Sequence, residues 1–202
     1  ITKDNQSTNK PATGVSWNEA ARFVNWLNTS TGGFAAYKFV TSGVNDNIAL
    51  WTGTDTSDFD IANPFRSLRA NYVLPSFDEW YKAAYYDPTS ASYFDFPTGS
   101  NTAPTAVAFG TGAGTAVYNG QSGPADINLA GGLSPFLTMG QGGNVWEWQE
   151  TEDDLVNNVG SSARGFRGGN WVNNSPSVWS SSRFSDGAAF ESNSIGFRVA
   201  SL

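Results

Sequence analysis

The stretch Gly143-Asn144-Val145-Trp146-Glu147-Trp148 carries two indole rings two residues apart, and a glycine-rich run leads into it. Glycine has no Cβ, so the backbone there can pack closely beneath the two rings. The whole chain combines 8 Trp, 7 Tyr and 14 Phe with 22 Gly and 9 Pro among 202 residues. Large rings bury much area with few rotatable bonds, while glycine and proline favour turns. The composition therefore predicts many irregular segments pinned by aromatic rings.

Two helices are predicted from capping boxes, in which a serine hydroxyl and a glutamate three residues later satisfy each other's backbone amides. The first box is Ser16 with Glu19, and the second is Ser76 with Glu79. Apolar residues with helical spacing follow each box. They are Ala20, Phe23, Val24 and Leu27 in the first helix, and Trp80, Ala83 and Ala84 in the second. The first helix is expected to end near Asn28 and the second before Asp87-Pro88, because the residue preceding a proline disfavours helix.

Strand signals are shorter, and residues 87–143 are expected to form ordered loops, with rings such as Tyr93 and Phe109 buried as pins. Phe166–Arg167 and Gly196–Ala200 are predicted to be paired strands that flank a loop. The other two predicted strands are Tyr37–Val40 and Tyr72–Leu74.

The charge and the missing residue types exclude several functions. The chain has no cysteine, no histidine and a net charge of −7. Thiol and imidazole chemistry are therefore impossible, and zinc lacks its usual ligands. An acidic surface repels polyanions, so nucleic acid is not expected as a partner. No window approaches the ~20 apolar residues that a membrane span needs.

Five phrases in order along the chain resemble the formylglycine-generating enzyme (sulfatase-modifying factor) family. They are Val15–Ala20, Leu74–Trp80, Gly143–Trp148, Arg167–Trp171 and Ile195–Ala200. The resemblance implies an irregular α+β fold related to C-type lectins, with two amphipathic helices and short antiparallel strands. We expect one domain over residues 1–202, without the strand and helix with which this family usually opens.

The same resemblance implies that the family's redox chemistry is missing. Enzymes of this family use two copper-binding cysteines, whose positions fall near Asn173 and Val178, and Asn170 replaces the serine that commonly follows Arg-Gly-Gly. An amide and an isopropyl group cannot replace thiolate ligands, so no copper is expected. The family also binds calcium through backbone carbonyls and one carboxylate, here those of Gly140, Gly143, Val145 and Glu147. A second family calcium site would involve Tyr118–Asp126, where the match is too loose to assign ligands.

Three functions remain open. The first is a non-catalytic structural or surface-display domain of an exported bacterial protein, located outside the cell and able to assemble with copies of itself. The second is a module that binds a protein or a glycan through the loop 170–193, which a retroelement could diversify. Its candidate ligand-binding residues are Asn170, Trp171, Asn173, Trp179, Phe184 and Phe190. Rigid aromatic anchors among adaptable polar groups are typical of such binding surfaces.

The third function is an enzyme of unknown reaction that uses paired carboxylates. The candidates are Asp58 with Asp60, Asp78 with Glu79, and the group Glu150, Glu152, Asp153 and Asp154. Such sequence neighbours are more often solvated loop charges or helix caps, so this function is the least favoured. Three Asn-x-Ser/Thr triplets also offer glycan acceptors in an exporting cell, at Asn5, Asn28 and Asn173.

Overall fold

Both predicted helices are present in the computed structural model, which describes residues 9–202. Helix α1 spans Trp17–Ser30 and helix α2 spans Phe77–Tyr85. Each starts at its capping box: the Ser16 hydroxyl accepts from the Glu19 amide at 3.2 Å, and the Glu19 carboxylate accepts from the Ser16 amide at 2.9 Å. The second box repeats this arrangement at 3.2 and 2.7 Å. Local sequence alone was therefore sufficient to predict where both helices begin.

The strands are numerous and short. They are β1 Phe59–Asp60, β2 Asn63–Ser67, β3 Tyr72–Val73, β4 Tyr86–Asp87, β5 Ser92–Tyr93, β6 Thr105–Ala106, β7 Thr115–Ala116, β8 Trp146–Glu152, β9 Arg164–Arg167, β10 Phe184–Asp186, β11 Ile195–Phe197 and β12 Ala200–Ser201. A 3-10 helix, η1, covers Ser175–Val178. This mixture of two helices with short strands confirms the expected irregular α+β class.

The largest sheet has the strand order β10-β9-β8-β11. Strand β9 pairs antiparallel with both β8 and β10, whereas β11 runs parallel to β8, with Ile195 opposite Trp146. The prediction that Phe166–Arg167 pairs with Gly196–Ala200 was wrong, because β8 lies between them and bonds to both. The sheet is also not purely antiparallel, and β6 with β7 forms a second parallel pair.

Strand β8 is the longest element that the sequence analysis missed. All seven of its residues, Trp146–Glu152, are buried, although three of them are glutamates. A run with so many carboxylates is typical of an exposed segment, because charged side chains are almost never fully buried unless paired. Arginines from other parts of the chain pair with these carboxylates and offset the free-energy cost of burying them.

The two helices cover opposite faces of this sheet. On one face, Trp17 of α1 packs in the main core with Trp146, Trp148 and Phe166. On the other face, the Trp80 indole of α2 donates to Glu147 at 2.6 Å, and the Arg167 guanidinium lies over the rings of Phe77 and Tyr81. Within residues 9–202, neither helix is long and apolar enough to cross a membrane.

Residues 87–143 form loops with only short bridged pairs, as expected. The rings pin these loops less uniformly than predicted. Phe96 and Tyr118 are buried, and the Tyr118 hydroxyl donates to the Pro104 carbonyl at 2.5 Å. Tyr93 and Phe109 are instead exposed. The predicted strand Tyr37–Val40 is reduced to single bridges, from Tyr37 to Arg66 and from Lys38 to Ala49.

Candidate functional site

Strand β8 carries three buried carboxylates, and each of them lies close to an arginine. Glu147 forms a two-pronged pair with Arg198, with Nε–Oε2 at 2.5 Å and Nη2–Oε1 at 2.6 Å. The Trp80 indole donates to the same Oε2 atom. Since both oxygens of Glu147 are bonded, its charge is neutralised within the fold.

Glu150 is fully buried and lies at the centre of a polar network. Arg66 donates to both of its oxygens, with Nε–Oε1 at 2.8 Å and Nη2–Oε2 at 2.7 Å. The Tyr37 hydroxyl and the Asn63 amide also donate to it, at 3.0 and 2.7 Å. Burial raises the pKa of Tyr37, and the nearby negative charge of Glu150 raises it further. Tyr37 is therefore a neutral hydrogen-bond donor and not a base.

Glu152 is tied to the loop that follows the strand. Its Oε1 atom accepts from the backbone amides of Asn158 and Val159, at 2.7 and 2.5 Å. Arg164 lies 3.8 Å away, with its guanidinium between the rings of Trp17 and Phe65. Burial lowers the pKa of Arg164 to about 10, so it remains charged at neutral pH.

Apart from Asp78, which is exposed, the carboxylates named as catalytic candidates are therefore engaged in structural bonds. Glu150 and Glu152 were expected to be solvated loop charges or caps, and this interpretation was wrong for both, because they are buried on β8. Glu79 caps α2 and pairs with Arg66, Asp58 lies 3.5 Å from Arg69, and Asp60 accepts from a loop amide. General acid–base catalysis needs a group that can reach a substrate proton, and these bonds compete with that role.

The predicted calcium ligands do not fit a divalent cation in the arrangement that the structure shows. Gly140, Val145 and Glu147 line a cavity of about 290 Å³, but Arg198 and Lys10 line the same cavity. The carboxylate that should neutralise the ion is already paired with the guanidinium. Among residues 9–202, no cluster of three or more acidic, histidine or cysteine side chains could supply other ligands.

The positions that correspond to the family's cysteines are occupied by structural groups. Val178 is fully buried and packs with Phe96, Ala116 and Tyr118. Asn173 is half-buried and forms a reciprocal turn with Asn170, in which each side-chain oxygen accepts the other's backbone amide at 2.9 to 3.1 Å. This part of the chain is therefore filled by packing and by a self-contained turn.

The six candidate ligand-binding residues differ in their contacts and in their exposure. Phe184 packs on Trp146 and Phe166 at 5.1 and 6.2 Å, on the side of the sheet that faces α1. Trp179 meets Phe96 at 6.2 Å, and its carbonyl accepts from the hydroxyl of Tyr85 in α2. The exposed fractions are 46% for Trp179, 53% for Phe184 and 41% for Phe190, so these three rings reach solvent. Asn170 is buried, and Trp171 and Asn173 are half-buried.

Comparison with known protein families shows to which family the chain belongs. The model of the sulfatase-modifying factor enzyme 1-like domain matches residues 2–201. The chain belongs to this family. The prediction that was made from the five sequence phrases is thereby confirmed. No curated protein matches the chain.

Solved structures support the fold of this sulfatase-modifying-factor-like domain. Treponema denticola variable protein 1 is similar with a TM-score of 0.67 and 17% identity, over 99% of this chain and 74% of that one. CarF is similar with a TM-score of 0.56 and 21% identity, over 100% and 72%. PvdO from Pseudomonas aeruginosa is similar with a TM-score of 0.60 and 19% identity, over 98% and 64%. At these identities the likeness shows the fold alone.

The three predicted glycan acceptors of this sulfatase-modifying-factor-like domain have different surroundings. Asn28 is fully buried, its amide donates to the carbonyls of Val24 and Tyr72, and its side-chain oxygen accepts two backbone amides. The folded structure leaves no room for a glycan there, so this prediction was wrong. Asn173 is half-buried, and Asn5 lies outside the described residues.

Sequence reasoning also missed a row of exposed and half-exposed rings beside α2. In this aromatic row, Tyr81 contacts Tyr93 at 5.4 Å, Tyr93 contacts Tyr86 at 4.9 Å, and Tyr86 contacts Phe136 at 6.2 Å. The adjacent pair Tyr85-Tyr86 could have indicated this row from sequence. Successive side chains in a helix or a strand point in different directions, so both rings cannot enter the core.

Proposed function

We propose that this sulfatase-modifying-factor-like domain is a non-catalytic structural or display domain of an exported bacterial protein, which acts through its surface. The observation that carries the proposal is the pairing of Glu147, Glu150 and Glu152 with arginines or backbone amides. The chain has no cysteine or histidine. The buried carboxylates therefore stabilise the fold, and we expect any binding to involve groups at the surface.

The amount of exposed apolar surface supports a role in contacts. Ile61, Leu137 and Trp26 have exposed fractions of 87%, 76% and 60%, and the aromatic row adds exposed rings beside α2. Single exposed apolar residues are normal, but clustered ones mark interaction surfaces. The edge strand β10 also carries the exposed ring of Phe184. These features favour contacts with copies of the same chain, although they also suit another protein.

An extracellular or cell-surface location is part of the same proposal. The acidity, the absence of cysteine and the polar loops rich in Ser and Asn are compatible with life outside the cell. Intact-mass measurement of the natively secreted protein tests both the location and the glycan acceptors. An added mass that is lost in Asn173→Gln would establish modification at that position.

The first experiment is light scattering of the native material, followed by electron microscopy of the same sample. We expect particles much larger than the 21.6 kDa chain. Tyr93→Ser in the aromatic row and Trp26→Ser on α1 test two separate surfaces, and the variant at the true contact should reduce the particle mass. A monomer at all concentrations would contradict self-assembly and leave display alone.

The second candidate is ligand binding by the loop 170–193, which the exposure of Trp179, Phe184 and Phe190 favours. The shared fold with a Treponema denticola protein described as variable is compatible with this function. Screening glycans and proteins against the native chain, Trp179→Ala and Phe184→Ala tests it, because a loop ligand should be lost with one variant or both. A near-identical template near the coding DNA, with differences confined to adenines, would support diversification.

An enzyme of unknown reaction remains the third candidate. An activity that disappears on replacing one carboxylate, while the circular dichroism spectrum stays unchanged, would make it the leading one. Without such an activity, the paired state of the carboxylates favours the non-catalytic proposal.

A further inference from the structure

Arg198 lies where the family resemblance places one calcium ion, and Lys10 contacts the Tyr118–Asp126 stretch, to which the resemblance assigns no calcium ligands. Arg198 meets both oxygens of Glu147 and also donates from Nη2 to the Met139 carbonyl at 3.0 Å. Lys10 donates from Nζ to the Pro124 carbonyl at 2.6 Å and lies 3.4 Å from the Asp126 carboxylate. Each cation thus takes one carboxylate and one backbone carbonyl, which are the hard oxygen ligands that calcium prefers.

We propose that Arg198 neutralises Glu147 where the family resemblance places one calcium ion, that Lys10 does the same for Asp126, and that this chain folds without calcium. The guanidinium fork matches a carboxylate with two parallel hydrogen bonds, so Glu147 needs no metal for neutralisation. The pair is partly buried, with a side-chain exposure of 7% for Glu147 and 25% for Arg198. Solvent therefore screens it less than an exposed surface pair.

Electrostatic repulsion strengthens this inference. The cavity of about 290 Å³ beside Gly140 is lined by Arg198 and Lys10, and among residues 9–202 Glu147 is the one carboxylate that lines it. A divalent cation that entered would face two positive side chains and a carboxylate that is already paired. Nearby like charges disfavour a further charge of the same sign, so calcium would first have to displace the guanidinium. A cavity of about 470 Å³ is lined by Lys10 together with Asp126, and the Lys10 ammonium already lies near that carboxylate.

The decisive experiment compares thermal unfolding of the unmodified protein in EGTA and in millimolar calcium chloride, with calorimetric titration of calcium chloride alongside. We expect the same Tm within about 1 °C and no saturable heat. A saturated calcium site would raise Tm by several degrees, since a ligand that binds only the native state stabilises it by mass action. Such a rise would overturn the proposal.

Variants test whether the two side chains neutralise Glu147 and Asp126. Arg198→Met leaves Glu147 without its cation, so we expect a lower Tm that calcium partly restores. Arg183→Met is the matched control, because Arg183 also bonds backbone carbonyls but lies away from Glu147, and calcium should not restore its Tm. If Arg198→Met does not fold, Lys10→Met serves, since Lys10 is more exposed. A folded variant that calcium fails to stabilise would overturn the assignment of that side chain.

Discussion

At the scale of single residues, Arg66 links helix α2 to strand β8, two elements that are far apart in sequence. Its guanidinium donates to the buried Glu150 of β8 and to Glu79, which caps α2, and it also reaches the Leu74 carbonyl. Burial by itself would lower the pKa of Arg66, but the charges of Glu150 and Glu79 raise it instead. Arg66 is therefore charged at neutral pH.

Replacing Arg66 with methionine should destabilise the protein by about 3–5 kcal/mol, because it leaves Glu150 buried without compensation. Urea unfolding gives the free energy directly. The double variant Arg66→Met with Glu150→Gln should recover part of this loss, since no unpaired charge remains. The control is Arg69→Met, whose half-exposed pair with Asp58 should cost about 1 kcal/mol or less. Equal losses for Arg66→Met and Arg69→Met would contradict the buried network.

Gly143 occupies a backbone conformation and a tight space that only glycine fits well. Its φ is 76°, and an added Cβ would meet the Val117 carbonyl oxygen. Gly120 has a nearly equal φ of 79° but open space around the Cβ position. Gly120→Ala should therefore cost only the left-handed penalty of about 1–2 kcal/mol. Gly143→Ala should cost about 1–3 kcal/mol more, from steric overlap, as measured by chemical denaturation.

At the scale of elements, the N-terminus of α2 combines a cap with an ion pair, and this predicts a pH dependence. Burial alone would raise the pKa of Glu79, but bonds to Arg66 and to the Ser76 amide lower it from 4.5. The folded-state pKa thus lies below the unfolded value, so the stabilisation is complete above the unfolded pKa. It is lost as pH falls through the folded pKa.

We expect the free energy of unfolding to decrease as pH is lowered from about 5 towards 2. Glu79→Gln should be less stable than the parent at neutral pH, and the difference should narrow in acid, because protonated Glu79 also lacks a charge. Urea titrations across this range measure both curves. A difference that stays constant with pH would show that Glu79 acts only as a hydrogen-bonding cap.

The two kinds of element differed in how far sequence could predict them. A capping box lies within four consecutive residues, so Ser16 with Glu19 and Ser76 with Glu79 predicted both helix starts. Strand β8 depends instead on partners that are remote in sequence, since Glu150 pairs with Arg66 and Glu147 with Arg198. No short stretch of sequence contains both members of such a pair. For this reason β8, the longest fully buried strand, resembled an exposed segment in the sequence.

At the scale of the whole molecule, a reciprocal pair of bonds joins α1 to the central sheet. The Trp17 indole donates to the Gln149 carbonyl at 2.8 Å, and the Trp148 indole donates to the Val15 carbonyl at 3.0 Å. Both rings are fully buried. Trp17 therefore satisfies a carbonyl of β8, Trp148 satisfies the Val15 carbonyl just before α1, and both rings fill the core between the two elements.

Replacing either Trp17 or Trp148 with phenylalanine should cost about 2–4 kcal/mol, from an unpaired buried carbonyl together with lost volume. Hydrogen exchange should then show faster exchange of the β8 amides in both variants. Trp26→Phe provides the control, because that ring is mostly exposed and its replacement should change stability by about 0.5 kcal/mol or less. If only one variant affected β8, the reciprocal arrangement would not be needed for docking of α1.

The family, the α+β class, both helix starts and the loss of cysteine chemistry could all be predicted from sequence, because each depends on local motifs or on which residue types are present. Only the folded chain shows that β8 lies between β9 and β11, that Asn28 is buried, and that Trp179 and Phe184 pack against different rings. It also shows that Glu147 meets Arg198, 51 residues away. The physical reason is that burying a charge is costly without a partner, and only the fold brings that partner into contact.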